Sequence, residues 1–245
     1  MIPKMVLFDY GQTLFQQNEY NALEGYTAMM EYITVNPQNV TVEAVTALAT
    51  KVYMQCGDIF GYKQKRQWRL EVSQKQIIHY LMEYYGLQSE RSEEELSAIY
   101  WDAACNGTAV DFTENMLEYL HNNGIRTGVI SNLSFSGAAL KARLEKHFPN
   151  HSFEFIISST DVIFRKPEPA IFELAIAKSG LKPDEIWYCG DDTIWDVEAS
   201  YQVGMTPVWF RGAIDYEQPI PTVDHIGVED WTEFVELIGR LKDRE

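Results

Sequence analysis

Hydrophobic and polar positions along the chain follow two patterns. Between Asn18 and Thr108, apolar residues recur every three or four positions, and Asn, Pro, Gly or Ser separates the segments. The segments with this spacing are ALEGYTAMMEYI, VEAVTALATKVYMQCGDIF, QKQIIHYLMEYYG and SEEELSAIYWDAAC. Because this spacing gives a helix one apolar face, the region predicts a bundle of about four helices.

The remainder of the chain alternates short apolar runs with amphipathic helical segments. The runs, each typical of a buried parallel strand, are MVLFDY, IRTGVIS, FEFIISS, EIWYCGD and TPVWF. Strands that alternate with helices predict βαβ units and a parallel sheet with one strand for each run or more. We therefore expect an α/β core from residues 1–16 and 111–245, with residues 17–110 inserted after the first strand as a helical cap domain.

Composition narrows the classes of partner. The chain has 245 residues, 46% of them hydrophobic, and a formal net charge of −16. A chain of this length can bury a core, and its negative charge gives no electrostatic footprint for nucleic acid or an anionic membrane. We expect a small-molecule ligand, no nucleic-acid or membrane partner, and a monomer or homodimer.

Cysteine usage and the N-terminal sequence predict a cytoplasmic location. Cys56, Cys105 and Cys189 are widely spaced, odd in number and without metal-ligand spacing, so neither a disulfide framework nor a zinc site is expected. The N-terminus has no basic segment followed by an apolar signal region, and no apolar run reaches the roughly 18 residues of a membrane span. We expect a soluble cytoplasmic protein.

The candidate chemistry lies where the predicted strands end. Ligands of an open α/β sheet bind at the carboxyl ends of its strands. The polar residues found there are Asp9, Ser131, Asn132, Asp191 and Asp192, and Lys166 precedes a helix that Pro167 can start. Each alone is a common turn former, helix cap or solvated side chain. Their recurrence at consecutive strand ends favours a shared function.

These residue types suit metal-assisted phosphoryl transfer. One carboxylate attacks phosphorus, a hydroxyl and Lys166 hold phosphate oxygens, and the remaining carboxylates hold a magnesium ion that screens the charge. Asp192 has two interpretations, a further metal ligand or the N-cap of the following helix.

The same segments carry a resemblance to a known family. VLFDYGQTL resembles the first motif of the haloacid dehalogenase superfamily, an apolar strand followed by Asp-x-Asp-x-Thr. GVISN, KPEPAIFELA and WYCGDDTIWDVEAS are similar to its second, third and fourth motifs, the last being Gly-Asp-x-x-x-x-Asp. The motifs occur in the family's order over nearly the whole chain, and the helical insertion lies where the family places its type 1 cap.

The resemblance implies a Rossmann-like core, a mobile helical cap and magnesium-dependent hydrolysis through an aspartyl-phosphate on Asp9. A small phosphorylated metabolite is the implied substrate. The implied catalytic residues are Asp9 and Lys166; the implied phosphate ligands are Thr13, Ser131, Asn132 and Lys166; the implied magnesium ligands are Asp9, the Gly11 carbonyl, Asp191 and Asp196. The family uses the position of Asp196 to support either the metal or the lysine.

The sequence departs from the first motif at one position. In phosphatases of the family, the second Asp protonates the leaving oxygen and later activates water, and here that residue is Gly11. General acid and base catalysis is typically worth about 10²–10⁴-fold, so its loss predicts a slow phosphatase or a substrate with a good leaving group. Gln12 can hydrogen-bond water but is not an efficient acid. Alternatively, Gly11 simply suits a tight turn, including one with positive φ.

Three functions remain open on the sequence. We favour the magnesium-dependent phosphatase. A second possibility is another hydrolase of the superfamily, a dehalogenase or a phosphonate hydrolase, although those usually carry Tyr or Ala where this chain has Gly11, and dehalogenases need no metal. The third is a binding or regulatory protein on a catalytically weakened fold, for which the missing acid is the only argument.

The predicted cap contains a basic and aromatic cluster in the stretch GYKQKRQWRL. Its members are Tyr62, Lys63, Lys65, Arg66, Trp68 and Arg69. We interpret it as a solvated helix face with a buried Trp68, and contact with a phosphorylated substrate is the alternative.

Overall fold

The structure is a computed structural model that describes residues 2–59, 67–214 and 217–243. Its strands are β1 (Met5–Phe8), β2 (Phe15–Gln17), β3 (Ile33–Val35), β4 (Gln88–Ser89), β5 (Gly107–Ala109), β6 (Arg126–Ser131), β7 (Phe153–Ser158), β8 (Ile186–Gly190), β9 (Thr206–Phe210) and β10 (Ile226–Val228). Its α-helices are α1 (Ala22–Met30), α2 (Val42–Ile59), α3 (Gln74–Tyr85), α4 (Glu93–Ala104), α5 (Thr113–Asn122), α6 (Gly137–His147), α7 (Ser159–Val162), α8 (Pro169–Ser179), α9 (Ala199–Gln202) and α10 (Trp231–Lys242). A 3₁₀ turn spans Pro183–Glu185 and a π-helical turn spans Thr193–Glu198.

The core is a six-stranded sheet in the order β10-β9-β8-β1-β6-β7. Every strand pair in it is parallel. β1 lies in the interior between β6 and β8, so the residue that follows β1 has strand ends on both sides. This architecture confirms the predicted α/β class and its Rossmann-like parallel sheet.

Both faces of the sheet are buried, as the apolar runs predicted. Val6 and Phe8 of β1 belong to the apolar cluster that contains the side chains of α5, α6 and α10. Met5 and Leu7, which alternate with them, belong to a second cluster with residues of α8 and α9. Since successive strand residues point to opposite faces, helices cover both sides of the sheet and only its edges and strand ends are accessible.

The region between β2 and β5 contains four helices, α1–α4, at positions close to the four periodic segments. Side-chain caps begin several of them: Asn21 accepts from the backbone of α1, and Ser92 and Glu95 form a capping box at α4. β2 and β5 pair antiparallel, which brings the two chain connections of this helical region side by side. The division of the chain into domains at 16/17 and 110/111 stays a prediction.

The helical region is attached to the sheet region by a strip of contacts beside Lys166. The backbone N–H of Arg165 donates to the carbonyl of Arg69 at 2.9 Å, and that of Glu71 donates to the carbonyl of Ile163 at 2.7 Å. The carboxylate of Glu71 is fully buried, forms an ion pair with the buried Arg165, and accepts a hydrogen bond from Ser159 at 2.6 Å. A buried, hydrogen-bonded ion pair therefore joins the segment before α3 to the segment before α8.

Three local details differ from expectation. No pattern in the sequence predicted β10 or the short pairs β2–β5 and β3–β4, in which each strand has two or three residues. α8 begins at Pro169, not at Pro167. In the basic cluster, Trp68 is buried and Arg69 forms an ion pair with Glu168, whereas Tyr62, Lys63, Lys65 and Arg66 lie outside the described residues.

None of the helices that the structure describes combines the length and the apolar character needed to cross a membrane.

We predict that Glu71→Gln lowers the free energy of unfolding by about 3 kcal/mol, because removing one partner leaves the buried Arg165 guanidinium uncompensated. Chemical denaturation followed by far-UV circular dichroism measures the change. The control is Glu154→Gln, which breaks a partly exposed pair with Arg126 and should cost less than about 1 kcal/mol. Equal losses for the two variants would contradict the structural importance of the Glu71 contact.

Candidate active site

Strand register brings the predicted residues to one edge of the sheet. Phe8 pairs with Val129 of β6 and with Cys189 of β8. The N–H of Asp9 continues the ladder by donating to the carbonyl of Cys189 at 2.8 Å. The carboxyl ends of β1, β6 and β8 therefore lie next to one another, and the residues that follow them converge at this edge.

Three carboxylates form the centre of the site. Asp9, Asp191 and Asp196 each offer an oxygen, and these oxygens all lie within 4.8 Å of one another. Asp191 and Asp196 are buried, while Asp9 keeps some exposure. Burial, together with the negative charges of Asp196 and Asp9, raises the pKa of Asp191 well above its usual value. The cluster carries more negative charge than its protein partners neutralise.

Lys166 supplies the one cation in contact with this cluster among the described residues. Its Nζ lies 3.0 Å from Oδ1 of Asp9 and 2.5 Å from Oδ1 of Asp196, and it donates to the hydroxyl of Tyr188 at 2.9 Å. These partners match the three N–H donors of an ammonium group. Burial alone lowers the pKa of Lys166, but the carboxylates of Asp196 and Asp9 outweigh it and the net shift is upward. Lys166 is therefore a charged, oriented group.

Asn132 acts on the backbone of Lys166. Its Oδ1 accepts from the N–H of Lys166 at 2.8 Å, and its Nδ2 donates to the carbonyl of Lys166 at 3.0 Å. This two-point contact joins the loop after β6 to the loop before α8. The predicted contact of Asn132 with phosphate stays a prediction, and the observed role is to position Lys166.

The two predicted hydroxyl ligands are both buried. Ser131 ends β6, where it pairs with Ser158 of β7. Thr13 is fully buried, and its Oγ1 has no hydrogen-bond partner in the part of the chain that the structure describes. A buried hydroxyl without a partner is costly unless it meets a ligand or water, so Thr13 is available to a phosphate oxygen.

Asp196 reaches the site from the π-helical turn after β8. Its Oδ1 contacts Lys166 and its Oδ2 accepts from the N–H of Asp192 at 2.9 Å. Both oxygens are thus already engaged by the protein. Gly190 makes this possible, because a Cβ at that position would overlap the carboxyl group of Asp196. Wide helical turns of this type occur often at functional sites.

Of the two interpretations of Asp192, the structure supports the helix cap. Its Oδ1 accepts from the N–H groups of Ile194 and Trp195, each at 2.8 Å. A side chain that caps the turn in this way orients it, and so helps to place Asp196.

Gly11 does not have the positive φ that was one explanation for a glycine at this position. The left-handed residue is Gln12, with φ 56°. A Cβ added to Gly11 would lie 2.6 Å from Oε1 of Gln17, so the carboxamide of Gln17 occupies the space in front of Gly11. Gln12 donates to the carbonyl of Gln17 at 3.2 Å, and its own Oε1 is buried without a hydrogen-bond partner among the described residues. The amide of Gln17 therefore stands where the family's acid would project.

Sequence reasoning missed Tyr188 and Gln17. Tyr188 lies inside an apolar strand run, where a tyrosine ordinarily indicates core packing, and only the tertiary structure aims its hydroxyl at Lys166. Gln17 follows the first motif by several residues in a stretch without a pattern, and the return of β2 toward Gly11 brings it to the site.

A cavity of about 490 Å³ adjoins this edge. The residues that line it on the side of the carboxylate cluster are Gln12, Asn132 and Arg165. Side chains of the helical region line the rest, and the aromatic residues around the cavity are Tyr20, Tyr26, Tyr53, Tyr100, Trp101 and Phe135. The volume and the apolar lining are typical of a small-molecule site.

The phenols of Tyr20, Tyr26 and Tyr100 are uncharged near neutral pH, because the pKa of each is raised. Burial raises the pKa of Tyr20 to about 12 and that of Tyr100 further, and the Tyr20 and Tyr100 hydroxyls share a hydrogen bond. Tyr26 accepts from Gln74 Nε2 at 2.9 Å, and burial raises its pKa as well. The one cation among the described lining residues, Arg165, is compensated by Glu71.

The sequence and the fold are similar to those of known proteins. Residues 6–210 match the family model described as haloacid dehalogenase-like hydrolase. The human haloacid dehalogenase-like hydrolase domain-containing protein 3 is 26% identical over 177 residues, which is 66% of each chain. A glyceraldehyde 3-phosphate phosphatase of Methanopyrus kandleri is 31% identical over 97 residues, 39% of this chain and 40% of that protein. The chain thus covers less than two thirds of the length of both relatives.

A solved structure shows the same fold. The 2-haloacid dehalogenase of Pseudomonas syringae pv. Tomato DC3000 superposes with a TM-score of 0.68 at 18% identity, over 98% of this chain and all of that one. At this identity the likeness concerns the fold alone.

We predict that Gly190→Ala lowers the free energy of unfolding by about 2 kcal/mol, because the new methyl group forces the buried Asp196 carboxylate from its position. Urea denaturation measures the loss. The matched control is Gly239→Ala in α10, whose added Cβ lies no closer than 3.5 Å to the Tyr119 hydroxyl and which should be neutral or stabilising. A neutral Gly190→Ala would show that Asp196 does not depend on this close approach.

Proposed function

The chain belongs to the haloacid dehalogenase-like hydrolases, and on that premise we propose that it is a magnesium-dependent phosphatase of small phosphorylated metabolites. The observation that carries the proposal is the cluster of Asp9, Asp191 and Asp196 around the buried ammonium of Lys166. The archaeal relative that is named a glyceraldehyde 3-phosphate phosphatase supports the same reaction class.

The donor set fits magnesium. Carboxylate and carbonyl oxygens are the ligands this ion prefers, and it usually keeps several waters at a half-open site. Asp9 and Asp191 would hold it together with the carbonyl of Gly11. Asp196, with both oxygens engaged, would support Lys166 from beside the ion. When bound, the ion supplies positive charge that screens the carboxylates and the phosphate oxygens from each other.

The residues of the chain then divide the reaction between them. Lys166 and the Thr13 hydroxyl hold the phosphate oxygens, and an oxygen of Asp9 attacks phosphorus. The bond from phosphorus to the ester oxygen breaks, its electron pair leaves with that oxygen, and an aspartyl-phosphate remains on Asp9. Water next attacks phosphorus and gives up a proton to solvent, the bond to Asp9 breaks, and the departed oxygen takes up a proton from solvent. The products are the alcohol, inorganic phosphate and the original carboxylate.

Protonation of the leaving oxygen is the weak step. The carboxyl group that would supply the proton is absent at Gly11, and the amides of Gln17 and Gln12 do not ionise. Gln12 Oε1, a buried acceptor without a partner among the described residues, can orient the attacking water but cannot remove its proton efficiently. The chemistry thus favours esters whose leaving group departs as an anion.

The two other hydrolase functions receive less support. The fold likeness to a 2-haloacid dehalogenase does not distinguish the reactions, and a dehalogenase has no use for the charge-rich cluster of Asp191 and Asp196. A phosphonate hydrolase uses a cap lysine, and no lysine is among the described residues that line the cavity. The purely regulatory function rested on Gly11 alone, whereas Lys166 and the carboxylates remain in place.

We predict hydrolysis of acetyl phosphate with magnesium and its loss in excess EDTA, because the ion screens the attack of one anion on another. Release of inorganic phosphate measures the rate. Asp9→Asn should abolish turnover, since an amide is a far poorer nucleophile. Asp58→Asn, an exposed change on α2, is the matched control and should behave as the parent protein. Metal-independent turnover, or full activity of Asp9→Asn, would refute the mechanism.

We further predict that the double variant Gly11→Asp, Gln17→Ala raises the turnover of an alkyl phosphate by up to roughly 10²-fold, because it restores a proton donor and vacates the space it needs. Gln17→Ala alone is the control and should give no such gain. Pre-steady-state bursts separate ester cleavage from hydrolysis of the aspartyl-phosphate. A folded, magnesium-binding double variant with no gain would show that another group already supplies the proton.

A further inference from the structure

The space beside the catalytic edge is large for the substrates of the relatives named above. A three-carbon phosphate would leave most of the 490 Å³ cavity unfilled once its phosphoryl group lay at Asp9 and Lys166. The same volume accommodates a ring-sized body, so the size of the cavity admits a ring and the lining residues must select it.

The side chains that line the cavity favour one chemical kind of substrate body. Tyr26, Tyr100, Trp101 and Phe135 are all buried, and the rings of Trp101 and Phe135 stack with centroids 4.5 Å apart. Phe135 and the Arg143 guanidinium, 3.8 Å from the ring centroid, cover the faces of Trp101, so this aromatic wall meets a flat ring through edge-on contacts. The lining therefore prefers an aromatic body to a polyol or an aliphatic chain.

The charges of the described lining residues restrict the substrate body further. Arg165, the one cationic side chain among the described lining residues, is paired with the buried Glu71, so none of the described lining residues offers an unpaired positive charge to a second anionic group. The chain as a whole has a formal net charge of −16. A carboxylate or second phosphate on the substrate body would lose its hydration without a compensating partner.

The catalytic edge independently requires a leaving group that needs no proton. A phenol ionises near pH 10, like tyrosine, whereas an alkyl alcohol is about as weak an acid as water, with a pKa of about 15.7. With Gly11 and Gln17 at the acid position, a phenolate departs far more readily than an alkoxide.

We infer that the substrate is an aryl phosphate, the phosphate ester of a phenol with an uncharged ring, and that this ring occupies the cavity between the helical region and Asn132. The inference rests on the proposed phosphatase function. It adds to that function a substrate class on which two separate features agree, the aromatic and uncharged cavity and the missing acid.

Four substrates test the inference on the full chain with magnesium. Phenyl phosphate has the ring and the phenolic oxygen; benzyl phosphate keeps the ring but has an alkyl leaving oxygen; 4-carboxyphenyl phosphate adds a charge to a leaving group that is no worse; acetyl phosphate lacks the ring. We expect kcat/KM for phenyl phosphate to exceed that for benzyl phosphate by about 10²-fold, through kcat. The value of kcat/KM for phenyl phosphate should also exceed that for 4-carboxyphenyl phosphate by at least about tenfold, because the charged ring raises KM.

A pair of variants locates the ring. Thr50 and Thr27 are both exposed helical threonines whose hydroxyls donate to the carbonyl four residues earlier, but only Thr50 lines the cavity. Thr50→Trp should raise KM for phenyl phosphate at least about fivefold relative to KM for acetyl phosphate, because the indole fills ring space. Thr27→Trp should change neither value. Binding of phenylphosphonate, followed by tryptophan fluorescence, should weaken in Thr50→Trp and not in Thr27→Trp.

The outcomes separate this inference from the proposed function. Turnover of acetyl phosphate with benzyl or 4-carboxyphenyl phosphate preferred to phenyl phosphate would leave the phosphatase function standing and overturn the aryl substrate. Equal effects of the two threonine variants would overturn the location of the ring. An absence of turnover on all four substrates would refute the phosphatase function, and the aryl substrate with it.

Discussion

The compensation of the Lys166 ammonium is the interaction on which the site depends. The group is almost completely buried and contacts Asp9, Asp196 and Tyr188. A buried charge is tolerated only when paired and hydrogen-bonded, so the partners of Lys166 must stay in place for the fold to hold it. Asp9 follows β1, Tyr188 lies within β8 and Asp196 lies in the turn after β8. The charge balance therefore ties together the segments after β1 and β8.

The same requirement explains several residues that never touch the substrate in our proposal. Asn132 holds the backbone of Lys166, Asp192 caps the turn that carries Asp196, and Gly190 leaves room for that carboxylate. They are positioning residues, and they account for the close spacing of motifs that are far apart in the sequence. Negative charge near Asp191 stays uncompensated by the protein, and in our proposal the magnesium ion compensates it.

The ion pair of Glu71 and Arg165 has two consequences from one contact. It joins the helical region to the loop next to Lys166, so the position of the cavity walls and the position of the ammonium are mechanically related. It also neutralises the cation nearest the cavity, which leaves aromatic and amide groups to meet the substrate body. With Gln17 in front of Gly11, the described residues that line the cavity carry no unpaired charge.

The sequence by itself determined the class of fold and the membership of the catalytic edge. Continuous apolar runs and helical spacing predicted the α/β sheet, because buried parallel strands must be apolar throughout and helices need one apolar face. Strand ends predicted Asp9, Ser131, Asn132 and Asp191, because parallel strands expose their carboxyl ends at one edge. Lys166 was predicted from its place directly before a helix. Such signals are local, and a local pattern is sufficient to read them.

Only the tertiary structure decided which partner each side chain meets. It assigned Asp192 to a helix cap and Asn132 to the backbone of Lys166, and it aimed Tyr188, a residue of an apolar run, at the ammonium. In the structure the left-handed residue is Gln12 and not Gly11, and Gln17 occupies the position where the acid is absent. These outcomes depend on contacts between segments that are distant in the chain or related by a turn, and no periodicity records such contacts.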